Sequence, residues 1–145
     1  MKHWRLNLWL VLIGALILTV EQAQATENDG IWNTNYIARA VLTEQIRNRE
    51  PVNDLSYHYV HSGKAEQRLM LFTQVINHQD QDITHLWFYE DNLEAEITLS
   101  IGSENWRTFS SKLIPPQMTG EWRVLVVGAD QDLLLEYNFT VTGTP

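Results

Sequence analysis

A chain of 145 residues with 10 Lys+Arg against 18 Asp+Glu carries a formal net charge of −8, with 44% hydrophobic and 19% charged residues. That composition excludes a low-complexity chain and a polytopic membrane protein. The sequence has no cysteine, which excludes disulfides, thiolate metal sites, cysteine nucleophiles and a lipidated leader cysteine.

Residues 1–25 read as an export leader. Lys2 and Arg5 make a basic start, an apolar run extends from Leu8 to Val20, and Ala23-Gln24-Ala25 is an A-x-A cleavage signature. Thirteen apolar residues span about 20 Å as a helix, short of the roughly 30 Å of a bilayer core. The alternative is an uncleaved N-terminal anchor with the same topology, because Leu6 and Trp9 lengthen the span; the membrane is then met only through residues 1–25. Either way the domain is expected outside the cytoplasm, in the periplasm or anchored facing it. Cleavage after Ala25 leaves 8 basic and 17 acidic residues. Such a surface repels phosphate backbones, so no nucleic-acid partner is expected.

Residues 26–35 are polar apart from Ile31 and Trp32 and read as a tether. From residue 36 to 145 the chain reads as one all-β domain, an antiparallel β-sandwich, immunoglobulin-like in general architecture, of about seven strands. The strands are expected near 36–44, 68–76, 82–90, 93–101, 105–114, 120–128 and 132–141, separated by turn-forming residues such as Glu90-Asp91-Asn92 and Gly128 to Asp132. Alternation sets the faces. Leu93, Ala95, Ile97, Leu99 and Ile101 share one side of their strand; Leu133, Leu135, Tyr137, Phe139 and Val141 share one side of theirs. Residues 120–128 are apolar on both faces, Trp122, Val124 and Val126 against Leu125 and Val127, which fits a central strand. Residues 36–44 are ambiguous, since Ile37, Ala40, Val41 and Leu42 also fit a helical stripe.

Two constellations stand out. On a strand, Ile83, His85, Trp87 and Tyr89 share a face. His85 and Trp87 then form an aromatic platform for a sugar or an anion, or else a central strand whose indole fills the core and whose imidazole makes a satisfying hydrogen bond. The second is Trp106-Arg107-Thr108-Phe109-Ser110-Ser111-Lys112. Phe109 reads as the inward anchor, with Arg107 and Ser111 on its side and Trp106 and Lys112 on the other. Arg107, Lys112 and Arg123 are the one local basic spot. Trp106, Arg107 and Lys112 are candidates to bind a carboxylate or an acidic partner, Arg107 as a bidentate donor and Lys112 as a point charge. The alternative is a salt-bridge ladder with Glu94, Glu96 or Glu121. His58 and His61 fall on opposite strand faces and His78 in a turn, so no metal site and no cofactor is expected. No Gly-x-Ser-x-Gly elbow is present, and no catalytic residue is assigned.

Taken together, Arg49-Glu50-Pro51-Val52, Thr84-His85-Leu86-Trp87, the run from Trp106 to Lys112 and Gly120-Glu121-Trp122-Arg123-Val124 resemble the bacterial domain of unknown function 2914, over roughly residues 50–141. The resemblance implies a bacterial source and a small, mostly β domain without an established activity. Members usually offer a glycine near Gln131, which this chain lacks, leaving the turn type there open. The expected function is an exported, non-catalytic binding or adaptor module of the cell envelope, its partner another envelope protein or an anionic or carbohydrate ligand. The alternatives are a small periplasmic hydrolase acting on carbohydrate or peptide through His85 or a carboxylate pair, and a purely structural domain that pairs through an exposed sheet edge.

Overall fold

The computed structural model describes residues 30–145, so the leader read over residues 1–25 lies outside the described residues. Among those described, all regular structure is strand: β1 (Ile37–Thr43), β2 (Ile46–Arg47), β3 (Glu50–Pro51), β4 (His58–His61), β5 (Gln67–Ile76), β6 (Asp82–Tyr89), β7 (Asn92–Ser100), β8 (Asn105–Ile114), β9 (Gly120–Gly128) and β10 (Leu133–Gly143). All seven strands expected from the sequence are present, with ends displaced by at most two residues.

Two sheets stack, one ordered β1-β5-β8 and the other β4-β10-β9-β6-β7, while β2 and β3 form a separate hairpin. Between them lies a single core. Leu42, Leu69, Leu71, Val75 and Ile114 of the smaller sheet meet Ile83, Trp87, Trp122, Val124, Val126 and Phe139 of the larger one. The one departure from antiparallel pairing is β4, which runs parallel to β10. Parallel neighbours cannot be joined by a tight hairpin, and here β5 to β9 all intervene in sequence.

Three β-bulges explain where strict alternation fails. In β1 the register slips between Ile37 and Arg39, so that Ile37, Ala40 and Leu42 all face inward while Arg39 faces out. This extra residue is what made 36–44 resemble a helical stripe. In β10 a slip between Leu133 and Leu135 allows Leu134 and Leu135 both to be buried and turns Leu133 to the outer face, away from the side it was expected to share with Leu135. Between β6 and β7, Trp87 pairs Ala95 but Phe88 pairs Leu93, which turns Leu93 outward with 52% exposure, away from the face it was expected to share with Ala95.

Residues 31–33, read above as part of a tether, instead run antiparallel along β10. The Glu136 amide donates to the Ile31 carbonyl at 2.7 Å, and the Asn33 amide donates to that of Leu134 at 2.8 Å. Trp32 bridges Leu135, and its indole N–H donates to the Ile37 carbonyl at 2.8 Å. The apolar pair Ile31-Trp32 in an otherwise polar run was the available signal.

Candidate binding surface

His85 and Trp87 lie on the inner face of β6, and both are wholly shielded from solvent. A shielded imidazole and indole cannot stack on a sugar or meet an anion, so the platform does not form. They make a polar bridge between the sheets instead. Ser110 Oγ of β8 lies 2.7 Å from His85 Nδ1 and accepts a hydrogen bond from Trp87 Nε1 at 2.9 Å. Thr73 Oγ1 of β5 lies 3.4 Å from His85 Nε2. One donor order satisfies every group: Trp87 N–H to Ser110, Ser110 O–H to Nδ1, and Nε2–H to Thr73. Burial keeps the ring neutral, with its pKa lowered to about 3.

The same bridge corrects the expected facing of β8. Phe109 is 44% exposed and Ser110 is buried, the reverse of the expectation from Phe109 as inward anchor. A phenyl at the inward position would leave the ring nitrogens of His85 and Trp87 unmatched, at about 1–3 kcal/mol per group. Sequence alternation identified which residues share a face but not which face is inside. Trp106 packs half-buried against the core cluster. Lys112 pairs with inward Leu69 across the ladder and donates from Nζ to the Leu113 carbonyl at 3.3 Å. Arg107 lies on the opposite, outer side. Arg123 belongs to the outer face of the other sheet, where it pairs with Asp91 at 3.5 Å and stacks on Phe88 at 5.1 Å. The three cations read as one basic spot are therefore on three separate surfaces.

What Arg107 does meet was not foreseen. On the outer face of the three-stranded sheet, cross-strand rows place Val41, Phe72 and Phe109 side by side, and next to them Arg39, Gln74 and Arg107. Glu50 of the β2–β3 hairpin joins the ends of the second row. Arg107 Nη1 donates to its Oε1 at 2.6 Å and Arg39 Nη2 to its Oε2 at 2.5 Å. All three side chains are about 40% exposed. The hydrogen bonds from Arg107 and then Arg39 hold the Glu50 carboxyl below its ordinary pKa. The Arg39 guanidinium also covers the Phe72 ring at 4.7 Å, and Arg49 lies 5.1 Å over Trp106. Asn48 and Arg49, with φ of 51° and 62°, form the two-residue turn that presents Glu50. The Arg49-Glu50-Pro51-Val52 block stood out in the sequence; the reach of Glu50 to Arg107, 57 positions away, did not.

Charge is segregated by sheet. β6, β7, β9, β10 and their hairpin turns carry nine carboxylates (Asp82, Glu90, Asp91, Glu94, Glu96, Glu121, Asp130, Asp132, Glu136) against one guanidinium, Arg123. The three-stranded sheet with residues 44–51 carries six cations (Arg39, Arg47, Arg49, Arg68, Arg107, Lys112) against two carboxylates, Glu44 and Glu50. Among the described residues, no group of three or more His, Cys, Asp or Glu is placed to hold a metal ion.

Fold and surface together define a β-sandwich module whose two sheets carry opposite net charge. Residues 80–141 match the family model described as "Protein of unknown function (DUF2914)". The match bears out the resemblance from β6 into β10, while the Arg49-Glu50-Pro51-Val52 block lies ahead of it. No curated protein matches the sequence. Among solved structures, the chain is similar to the CARDB domain of a Pyrococcus furiosus protein in complex with di-metal ions. The TM-score is 0.41 and the identity 9%, over 76% of this chain and 97% of that one.

Proposed function

We propose that this chain is an exported, non-catalytic binding module of the bacterial cell envelope. It captures an acidic segment of another envelope protein through the outer face of the three-stranded sheet. The observation that carries this reading is the Arg39–Glu50–Arg107 bridge. Two half-exposed guanidiniums share one carboxylate, so the set keeps a net positive charge and displays the geometry in which it accepts a second carboxylate. Exposed Phe109 beside it supplies an apolar anchor of the kind that hot spots use. The basic start, apolar run and Ala23-Gln24-Ala25 support export.

The test is crosslinking of the full chain in cells followed by mass spectrometry, comparing the wild type with Arg39→Ala and Arg107→Ala. The reading expects a reproducible envelope neighbour that both variants lose. Each variant should melt within about 1 kcal/mol of the wild type, because an exposed ion pair contributes little. The same neighbour recovered at equal yield from both variants overturns it.

A further inference from the structure

The outer face of the five-stranded sheet has an order of its own. Along the β7-β6-β9-β10 ladder one row reads Glu96, Leu86, Leu125, Glu136, an apolar pair with a carboxylate at each end. The row on one side reads Leu93, Phe88, Arg123, Asn138, and the row on the other reads Thr98, Thr84, Val127, Leu133. Leu93, Phe88, Leu86, Leu125, Val127 and Leu133 form an apolar strip that crosses β6 and β9 diagonally, with Thr84 at one corner and Arg123, paired with Asp91, at the other. Two shallow depressions border it, one of about 380 Å³ where Phe88 meets Glu90, Asp91 and Glu121, and one of about 590 Å³ where Leu86 and Val127 meet Asp82 and Glu96.

The dimensions select an occupant. Three interstrand spacings separate the backbones carrying Glu96 and Glu136, roughly 14 Å. A helix with its side chains is about 10–12 Å across, so it fits between the two carboxylates. The strip runs about 13 Å along the strands, the length of roughly nine helical residues. Its acidic borders favour cations on both flanks of that helix. A second copy of the chain is disfavoured at long range by the net charge of −8 on each copy. The geometry points to this face as the seat of a basic amphipathic helix from a partner protein, its apolar side on Leu86 and Leu125 and its cations toward Glu96 and Glu136. This surface is opposite the Arg39–Glu50–Arg107 face, and neither reading depends on the other.

The probe is a synthetic 18-residue helix-forming peptide with leucines on one face and lysines along both flanks, titrated into the full chain at physiological salt. Glu96→Lys/Glu136→Lys should weaken binding at least tenfold. Glu66→Lys/Glu104→Lys, the same change in charge at exposed positions off this face, should weaken it less than threefold. Amide shifts in the unmodified chain should centre on Leu86, Phe88, Leu125 and Val127. Equal weakening by both pairs reduces the effect to bulk charge and overturns the proposal, as do shifts spread over both sheets. Concentration-dependent self-association through this face without peptide assigns it to a second copy and equally overturns it.

Discussion

Ser110 Oγ and His85 Nδ1, 2.7 Å apart in the core of the sandwich, join the two sheets by polar chemistry, as His61 Nε2 and the Ile114 carbonyl do at 2.8 Å between β4 and β8. The Ser110–His85 pair fixes which face of β8 is inside. Ser110→Ala removes the partner of His85 Nδ1 and of Trp87 Nε1 together. The expected loss is about 2–6 kcal/mol, for two unmatched buried groups, read from urea unfolding. A loss below about 0.5 kcal/mol would show that the bridge contributes nothing.

Stability should fall on acidification through His85. The unfolded imidazole takes up its proton near pH 6.5, whereas the folded one resists until about pH 3. Between those values the unfolded chain holds the extra proton. The contribution is therefore complete above pH 6.5 and declines by up to about 1.4 kcal/mol per pH unit as pH falls. The Glu50 carboxyl, held below its ordinary 4.5 by Arg107 and Arg39, adds a further loss lower down. Urea titrations of wild type and His85→Gln between pH 6.5 and 4.5 separate the two groups, the variant showing the flatter profile; parallel profiles would contradict the assignment.

The seven long strands were legible because each has enough residues to display a period of two, and β9 is central, as its two apolar faces indicated. What escaped the sequence has local causes. β2 and β3 have two residues each and β4 has four, too few for a period to register. The inner side of β8 is decided by the needs of His85 and Trp87 on another strand. The Arg39–Glu50–Arg107 set is assembled from three elements; Glu50 and Arg107 lie in runs that attracted notice separately, and Arg39 does not.

Trp122 shares a face of β9 with Val124 and Val126, as alternation indicated, and it is 1% exposed, stacked on Phe139 with ring centres 6.2 Å apart, its indole N–H donating to the Met118 carbonyl at 3.0 Å. Trp122→Ala should cost about 3–5 kcal/mol. A thermal midpoint close to that of the wild type would mean that the core collapses around the gap.

The turn left open by the missing glycine is now defined. Gln131 adopts φ of 63°, and its amide donates to the Gly128 carbonyl at 2.9 Å. A side chain with a Cβ is disfavoured in that left-handed conformation, so Gln131→Gly should raise stability by about 0.5–1 kcal/mol in spite of glycine's greater freedom when unfolded. Calorimetric melts of the two proteins decide it, and an unchanged or lower midpoint would contradict the strain.

β10 has consequences for biosynthesis. It lies between β9 on one side and β4 with residues 31–33 on the other, and it brings Leu134, Leu135, Tyr137, Phe139 and Val141 to the interior. A nascent chain on the ribosome thus holds Trp122, Val124 and Val126 uncovered until Gly143 has emerged. A chain cut short before residue 133 lacks the strand that joins β9 to β4 and to residues 31–33, and is left open to chaperones and proteases.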